Sequence, residues 1–231
     1  MKIIGLIGGV SWVSTIDYYR LINQGINDKL GGLNFSQCII YSFNYADIIK
    51  NNEAKDWDAT FNMVSAACTH LVNAGASAIV LCANTMHVIA DRIQQHIGVP
   101  VIHIATATAN EIGLQHLKKV GLLGSKFTME LDFFTAKLKE QDIDTIIPGP
   151  GDRQFIHATI SEELSRGLIR AETKQRYLSI ISELVAQGAE GIVLGCTEIP
   201  LLIRQEDITV PAFDTTAIHS AAAVAFSVFA E

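Results

Sequence analysis

The chain has 231 residues, a formal net charge of −7, and a composition that is 49% hydrophobic and 18% charged. This composition can build the core of one large domain or two small ones, and it argues against a disordered chain. The acidic balance and the lack of a basic stripe argue against nucleic acid or an anionic membrane surface as a partner.

The two ends of the chain carry no targeting pattern. Met1-Lys2-Ile3 leads directly into a predicted strand, which leaves no room for a signal peptide. The apolar segment 217–230 is too short to span a bilayer and contains His219. We therefore expect a cytoplasmic protein that does not bind membranes. In that reducing compartment we expect four free thiols, with Cys38 and Cys68 as small buried side chains.

Short β-branched segments alternate with helical segments in the first half of the chain. The predicted strands are 3–7, 38–43, 78–81 and 99–104. The predicted helices are 14–30, 59–73, a helix that follows the turn 82–85 and reaches about 97, and 105–117. The segment 44–58 reads as a polar connection.

The second half repeats this alternation. The predicted strands are 120–123, 145–147, 192–194 and 210–213. The predicted helices are 125–140, 154–165, 172–187, a short helix from 199 and a closing helix from 216. Pro148-Gly149-Pro150-Gly151 predicts a loop. Strands that alternate with helices form parallel sheets with right-handed crossovers.

Three landmarks occur twice, in one order and at nearly one spacing. The repeated pairs are Gly75–Thr85 with Gly188–Glu198 at 113 residues, Gly5–Gly8 with Gly121–Gly124 at 116, and Val99-Pro100 with Val210-Pro211 at 111. A period this long excludes a solenoid and predicts two similar α/β halves facing each other. We expect residues 1–98 with 209–231 to form one half and residues 99–208 to form the other, with a site shared between them.

A cysteine follows the buried strand in each copy of the repeated segment. Cys196 comes after the run Ile192-Val193-Leu194 and a glycine, at the strand end where parallel sheets place ligands. A thiol exposed to helix N-termini there can have a lowered pKa and act as a base. Cys196 and Cys82 on opposite sides of a molecule would remove a proton from one face and return it to the other. Zinc is disfavoured, because Cys82 and His87 form only one candidate ligand pair.

Polar side chains occupy the predicted strand-to-helix turns of both halves. They are Ser11, Ser14, Thr15, Asn84, Thr85, Ser125, Thr128 and Thr197. Helix N-termini favour carboxylate or phosphate, although ordinary helix capping explains each turn taken alone. The sequence has neither G-x-G-x-x-G nor a P-loop, so we expect no nucleotide cofactor. His103 and Asp214 hold equivalent repeat positions, where each could fix a neighbouring loop.

At these residues the chain resembles the cofactor-independent aspartate/glutamate racemases over essentially its whole length. The resemblance rests on Gly8–Trp12 with Ser14-Thr15, Tyr18-Tyr19-Arg20, Asn84–His87, Gly195–Ile199 and Asp214–His219. It implies two Rossmann-like halves related by pseudo-two-fold symmetry, a closing helix that packs on the first half, and a homodimer. It also implies transfer of the α-proton of an amino acid between two cysteines, without pyridoxal phosphate or a metal.

This resemblance leads us to predict Cys196 and Cys82 as the catalytic residues. The predicted substrate-binding residues are Ser11, Asn84, Thr85, Met86, Thr128, Arg166, Thr197 and Glu198. One departure bears on the assignment, because the family's first cysteine directly precedes the Asn-Thr pair and Ala83 stands there instead. The internal repeat also aligns Cys196 with Ala83. A slip of one residue turns a strand side chain to the other face, so Cys82 is either a buried thiol or a group that swings in at the strand end.

The sequence leaves open both the kind of substrate side chain and the reaction that the protein catalyses. Family members that act on acidic amino acids often carry a basic residue after the second strand, and Ser42–Ile49 has none. Arg166, at a position where the family usually has lysine, could pair with a side-chain carboxylate or could lie in solvent at a helix end. A broader or neutral preference fits the missing base. A single-cysteine decarboxylase of malonate-type acids and a non-catalytic amino-acid binder are the alternative functions.

Overall fold

The computed structural model describes residues 1–229 and shows an α/β protein with two compact units. The first unit comprises Met1–Ile104 together with the chain from Thr216 onward, and the second comprises Ala105–Thr215. Each unit contains one four-stranded parallel sheet. The predicted class, with two similar parallel-sheet halves, is confirmed.

The two sheets have the same strand order. The strands are β1 (Ile4–Gly8), β2 (Cys38–Ser42), β3 (Ala78–Leu81), β4 (Val101–Ile102), β5 (Lys119–Gly124), β6 (Asp144–Ile146), β7 (Gly191–Gly195) and β8 (Ala212–Asp214). The first sheet has the order β2-β1-β3-β4 and the second has the order β6-β5-β7-β8. The register is in phase across each sheet, with Ile4 beside Cys38 and Ala78 in the first and Gly124 beside Gly195 in the second.

Helices connect consecutive strands, as parallel pairing requires. They are α1 (Trp12–Leu30), α2 (Tyr45–Ala54), α3 (Trp57–Asn73), α4 (Ala90–His96), α5 (Ile104–Leu114), α6 (Lys126–Glu130), α7 (Asp132–Lys139), α8 (Pro150–Glu162), α9 (Ala171–Ala186), α10 (Ile199–Leu202) and α11 (Thr215–Phe229). Short 3₁₀ segments cover Asn84–Ile89, Leu164–Arg166 and Gln205–Asp207. No helix among these described residues has the length and apolar character needed to cross a bilayer.

Several local predictions differ from the structure. The polar connection 44–58 contains α2, whose buried face includes only Ile48 and Asn52, too few residues for a clear apolar period. Helix α8 begins inside the predicted loop because proline is well tolerated in the first helical turn, where Pro150 stands. The predicted helix 125–140 breaks at Leu131, which has extended backbone angles.

The strand pairing also sets where one unit ends and the next begins. Strand β4 pairs with β3 in the first sheet, and β8 pairs with β7 in the second. The units therefore divide after Ile104 and Thr215, rather than at 98/99 and 208/209 as the sequence-based bounds have it.

The first sheet separates two apolar clusters, and alternate residues of β3 enter opposite ones. Ile79 and Leu81 belong to the cluster that contains side chains of α3 and α4. Ala78, Val80 and Cys82 belong to the cluster that contains side chains of α1 and α11. This alternation follows from the two-residue period of a β-strand.

The turn after β1 requires glycine. Gly9 has a φ of 81°, and a Cβ at this position would collide with the backbone of Phe43. The amide of Phe43 donates to the carbonyl of Gly8 at 3.0 Å, so the two segments cannot separate without losing that bond.

We expect Gly9→Ala to lower the free energy of unfolding by more than about 2 kcal/mol, because the strained φ and the backbone collision add. The matched control is Gly98→Ala, since Gly98 has open space around a Cβ position. Urea unfolding at neutral pH would measure both. Equal stability of the two variants would contradict this account of the turn.

Candidate active site

Cys196 lies directly after β7, at the carboxyl end of the second sheet. The five residues Gly191–Gly195 are all buried, whereas the Cys196 side chain is half-buried. The preceding residue must be small, because a Cβ on Gly195 would lie 2.8 Å from the carbonyl oxygen of Leu123. The strand end therefore packs closely against β5 and leaves Cys196 partly accessible.

The thiol of Cys196 is paired with a carboxylate two residues further along the chain. Its Sγ donates to Glu198 Oε2 at 2.9 Å, and Thr197 Oγ1 donates to the same oxygen at 2.7 Å. Glu198 is 8% exposed and lies at the N-cap of α10. The sequence predicts Glu198 and Thr197 as substrate-binding residues, and in the structure Glu198 accepts from both the Cys196 thiol and the Thr197 hydroxyl.

The electrostatics favour the protonated thiol. Burial raises the pKa of Cys196 well above its ordinary value, and the charge and hydrogen bond of Glu198 raise it further. The backbone N–H groups of Glu198 and Thr197 lower the same pKa but do not outweigh these effects. The direction is opposite to the lowered pKa that the sequence suggested, because that expectation considered helix N-termini and not burial or the charge of the adjacent carboxylate.

Cys82 does not lie at the open strand end. It is 1% exposed and packs in the apolar cluster with Leu6, Val80 and Tyr18, where its Sγ lies 3.8 Å from the carbonyl oxygen of Val80. Burial raises the pKa of Cys82 far above its ordinary value, and the nearby Cys38 adds to the shift. The structure thus places Cys82 as a buried thiol, which is one of the two alternatives that the sequence left open.

Ala83 takes the place in the first unit that Cys196 takes in the second. Its side chain packs against the cluster on the opposite face from Cys82. It is followed by Asn84 and Thr85, which open the 3₁₀ segment. The residue at the accessible strand end of the first unit therefore carries a methyl group and no acid or base.

The remaining residues predicted after β3 divide between the surface and the core. Asn84 is 6% exposed and Thr85 is half-buried at the start of the 3₁₀ segment. Met86 is 1% exposed and packs in the apolar cluster with Ile7 and Val10. The structure thus places the side chain of Met86, which the sequence predicts to contact substrate, in the core.

Two hydroxyls of the first turn hold the backbone of the site together. Thr15 Oγ1 accepts from the amide of Gly9 at 2.8 Å and donates to the carbonyl of Ser11 at 2.9 Å. Ser14 Oγ donates to the carbonyl of Cys82 at 2.9 Å, which ties the end of β3 to α1. Ser11 itself is half-buried at the N-cap of α1 and makes no side-chain capping bond.

In the second unit, Ser125 caps α6 and its Oγ accepts from the amide of Thr128 at 3.3 Å. Thr128 is fully buried, and its hydroxyl lies 3.2 Å from that of Ser125. A Cβ atom on Gly124 or on Gly195 would come into tight contact with the Thr128 side chain. Thr128 therefore supports the strand ends beside Cys196.

Arg166, in contrast, lies exposed at the end of a 3₁₀ segment.

The four cysteines are free thiols in the described chain, Cys68 and Cys82 buried and Cys38 and Cys196 partly exposed. The family model of Asp/Glu/hydantoin racemases matches residues 7–223. This chain belongs to the Asp/Glu/hydantoin racemase family.

Named relatives and solved structures that are similar to this chain agree with its membership of this family. The chain is 26% identical to the broad specificity amino-acid racemase RacX of Bacillus subtilis, over 93% of each chain. It is 45% identical to a Yersinia pestis protein provisionally named an Asp/Glu racemase, with a TM-score of 0.94 over 99% of this chain and 100% of the other. An aspartate racemase homologue from Pyrococcus horikoshii is 34% identical, with a TM-score of 0.87 over 98% and 99%. Racemases are isomerases, and the chain belongs to that class of enzyme.

We expect Glu198→Gln to lower the pKa of Cys196, because the substitution removes a negative charge next to the thiolate and leaves an amide that can donate to it. The rate of iodoacetamide alkylation at Cys196 at pH 8 should therefore rise severalfold. Mass spectrometry of the Cys196 peptide would measure it.

Alkylation of Cys38 in the same sample is the internal control, because that thiol is partly exposed in the other unit. An unchanged or slower rate at Cys196, with an unchanged rate at Cys38, would show that Glu198 does not set the state of the thiol.

Proposed function

We propose that this protein is an amino-acid racemase in which the Cys196 thiol is one acid/base at the α-carbon. The single observation that carries the proposal is the hydrogen bond from Cys196 to Glu198 at the open end of β7. It joins a proton donor to a buried proton acceptor at the strand end where α/β proteins place their ligands.

The pair allows the thiol to act in both directions. As an acid, the protonated Cys196 can give its proton to an α-carbanion. As a base, it must first lose that proton, and Glu198 is the group positioned to take it. Desolvation by a bound substrate would strengthen this coupling, since hydrogen bonds to charged groups are stronger in a dry site.

We propose that Asn84 and Thr85 bind the α-carboxylate of the amino acid. They open the 3₁₀ segment at the end of β3, and the first backbone N–H groups of a helical segment have no carbonyl partner within that segment. Such donors stabilise the carboxylate as it gains enediolate character during proton removal. We propose that Thr197 holds Glu198, to which its hydroxyl donates, and does not bind the α-carboxylate.

The proposed preference of the enzyme for particular substrate side chains follows from the basic residues that could pair with an acidic one. Arg166 is exposed and is the basic side chain proposed to pair with an acidic substrate. The residues after β2 supply no second base between Ser42 and Ile49. We therefore propose a broad preference that includes aspartate and glutamate.

A second candidate function follows from Ala83. Racemisation needs proton transfer on both faces of the α-carbon, and Cys82 is held in the core rather than at the strand end. A single-thiol enzyme that protonates a carbanion after loss of CO₂ from a malonate-type acid needs only Cys196. The position of Cys82 is the observation that favours this alternative.

We expect Cys196→Ser to reduce α-proton exchange of L- and D-amino acids in D₂O by about a hundredfold or more, because a hydroxyl is a far weaker acid/base than a thiol. NMR would report deuterium entry, and chiral chromatography would report inversion. Cys82→Ala is the matched control and should keep more than half of the activity.

Full exchange by Cys196→Ser would overturn the assignment of Cys196. Loss of exchange in Cys82→Ala, with its fold intact by circular dichroism, would return Cys82 to the mechanism. No exchange on any amino acid, together with release of CO₂ from a malonate-type acid, would favour the decarboxylase.

We also propose that the enzyme is a homodimer that works in the cytoplasm. The location rests on the four free thiols, which persist in a reducing compartment. The dimer rests on an exposed apolar stripe of α1, formed by Trp12, Ile16 and Tyr19 at 67%, 53% and 49% exposure. These residues share one helix face, which lies beside the buried face of α1.

Ile16→Lys should convert a dimer into a monomer, because it buries a charge in the centre of the proposed contact. Leu114→Lys is the control, since Leu114 is 73% exposed in the other unit. Light scattering after gel filtration would measure both masses. A monomeric wild type, or a dimer unaffected by Ile16→Lys, would contradict the proposal.

A further inference from the structure

Three histidines of the first unit lie together outside the acid/base pair. The rings of His87 and His103 have centroids 4.8 Å apart, and those of His87 and His219 are 5.3 Å apart. His87 is 2% exposed and His219 is fully buried. The proposed proton transfer uses none of them, so their burial needs another reason.

The partners of His87 fix which of its nitrogens carries the proton. The amide of Ile104 donates to Nε2 at 3.2 Å, so Nε2 must hold a lone pair. Nδ1 therefore carries the hydrogen, which it donates to the carbonyl of Ala83 at 3.1 Å. Both bonds exist together only in the neutral Nδ1–H tautomer.

His219 is fixed in the opposite tautomer. Its Nε2 lies 2.6 Å from the carbonyl oxygen of Ile102, which can only accept, so Nε2 carries the hydrogen. Nδ1 lies 2.8 Å from the hydroxyl of Tyr18 and accepts from it. The two imidazoles thus bind the backbone groups on either side of His103.

Both imidazoles are held neutral by their surroundings. Burial lowers the pKa of His219 to about 3, with the nearby His87 as the next cause. Burial and the neighbouring His103 also lower the pKa of His87 well below its ordinary value. The titratable groups that face these rings are His103 and, on α1, the hydroxyl of Tyr18.

These bonds compensate for a short edge strand. Strand β4 has two residues at the edge of its sheet, so few ladder bonds hold its carboxyl end. His219 holds the Ile102 carbonyl to α11, and His87 joins the Ile104 amide to the Ala83 carbonyl. Ala83 is the residue directly before Asn84, so the position of that turn depends on the His87 ring.

We propose that His87, as the neutral Nδ1–H tautomer, is the positioning residue of the Asn84–Thr85 turn. The inference rests on the proposed function, in which this turn binds the α-carboxylate. Protonation would place a hydrogen on Nε2, which could then no longer accept from the Ile104 amide. The turn therefore loses its attachment to the end of β4 when His87 takes up a proton.

The direct test is a two-bond ¹H–¹⁵N correlation spectrum of the imidazoles in the full ¹⁵N-labelled chain, recorded between pH 8 and 5.5. We expect a neutral Nδ1–H pattern for His87 and a neutral Nε2–H pattern for His219 throughout, with exposed histidines as internal references for titration. His87→Gln assigns the signals. A charged His87 at pH 6, or an Nε2–H pattern, would overturn the proposal.

The second test separates positioning from general stability. His87→Leu should raise the KM for the amino acid about tenfold, because a hydrogen-bonded link to the turn is lost. His87→Gln, whose side-chain oxygen can accept from the Ile104 amide, should recover most of that loss. In both variants kcat should stay within about twofold of the wild-type value while KM changes, a split that a merely structural role would not produce.

His96→Leu is the control for activity, since His96 is exposed on α4 of the same unit. If His87→Leu keeps a wild-type KM while folded, positioning by His87 is wrong and the racemase proposal stands. If no amino acid reacts, the proposed function fails, and amide exchange at Asn84 and Thr85 replaces KM as the readout. Exchange that is no faster in His87→Leu than in the wild type would then overturn the positioning role.

Discussion

The alternation of side chains along parallel strands is the constraint on which the site depends. In each unit the central strand ends in a turn, and only one of two successive residues can face the open edge. After β7 that residue is Cys196, and in the corresponding place after β3 it is Ala83. A displacement of one residue sends Cys82 into the cluster formed with α1 and α11. The same periodicity that builds the core thus decides which cysteine is available for chemistry.

At the open strand end, a local contact sets the protonation state. The carboxylate of Glu198 receives hydrogen bonds from Cys196 and Thr197, and burial together with this carboxylate raises the pKa of the Cys196 thiol. In the proposed mechanism this thiol donates its proton as an acid, and it becomes a base when Glu198 takes that proton. The arrangement differs from a thiolate activated by a helix N-terminus. Here the negative charge of Glu198 lies next to the sulfur, and the backbone N–H groups do not offset its effect on the pKa of the thiol.

The first unit uses buried polar side chains to hold its strand ends. Ser14 binds the Cys82 carbonyl, His87 binds the Ala83 carbonyl and His219 binds the Ile102 carbonyl. Each bond gives a backbone carbonyl near a strand end a side-chain partner. The backbone just before Asn84 is therefore bonded by Ser14 from α1 and by His87 from the 3₁₀ segment itself. Such a network tolerates little change, because a lost partner leaves a buried polar group unpaired.

The sequence by itself determined the alternating elements, the internal repeat, the parallel sheets and the position of Cys196, because these follow from local apolar patterns and from the glycine that ends a strand. It also showed that Ala83 displaces Cys82 from the expected place. Only the tertiary structure decided that Cys82 faces the core, that Glu198 bonds to the thiol, and that β4 is two residues long. Those outcomes depend on contacts between segments that are distant along the chain or on the conformation of one turn, and neither leaves a periodic signal in the sequence.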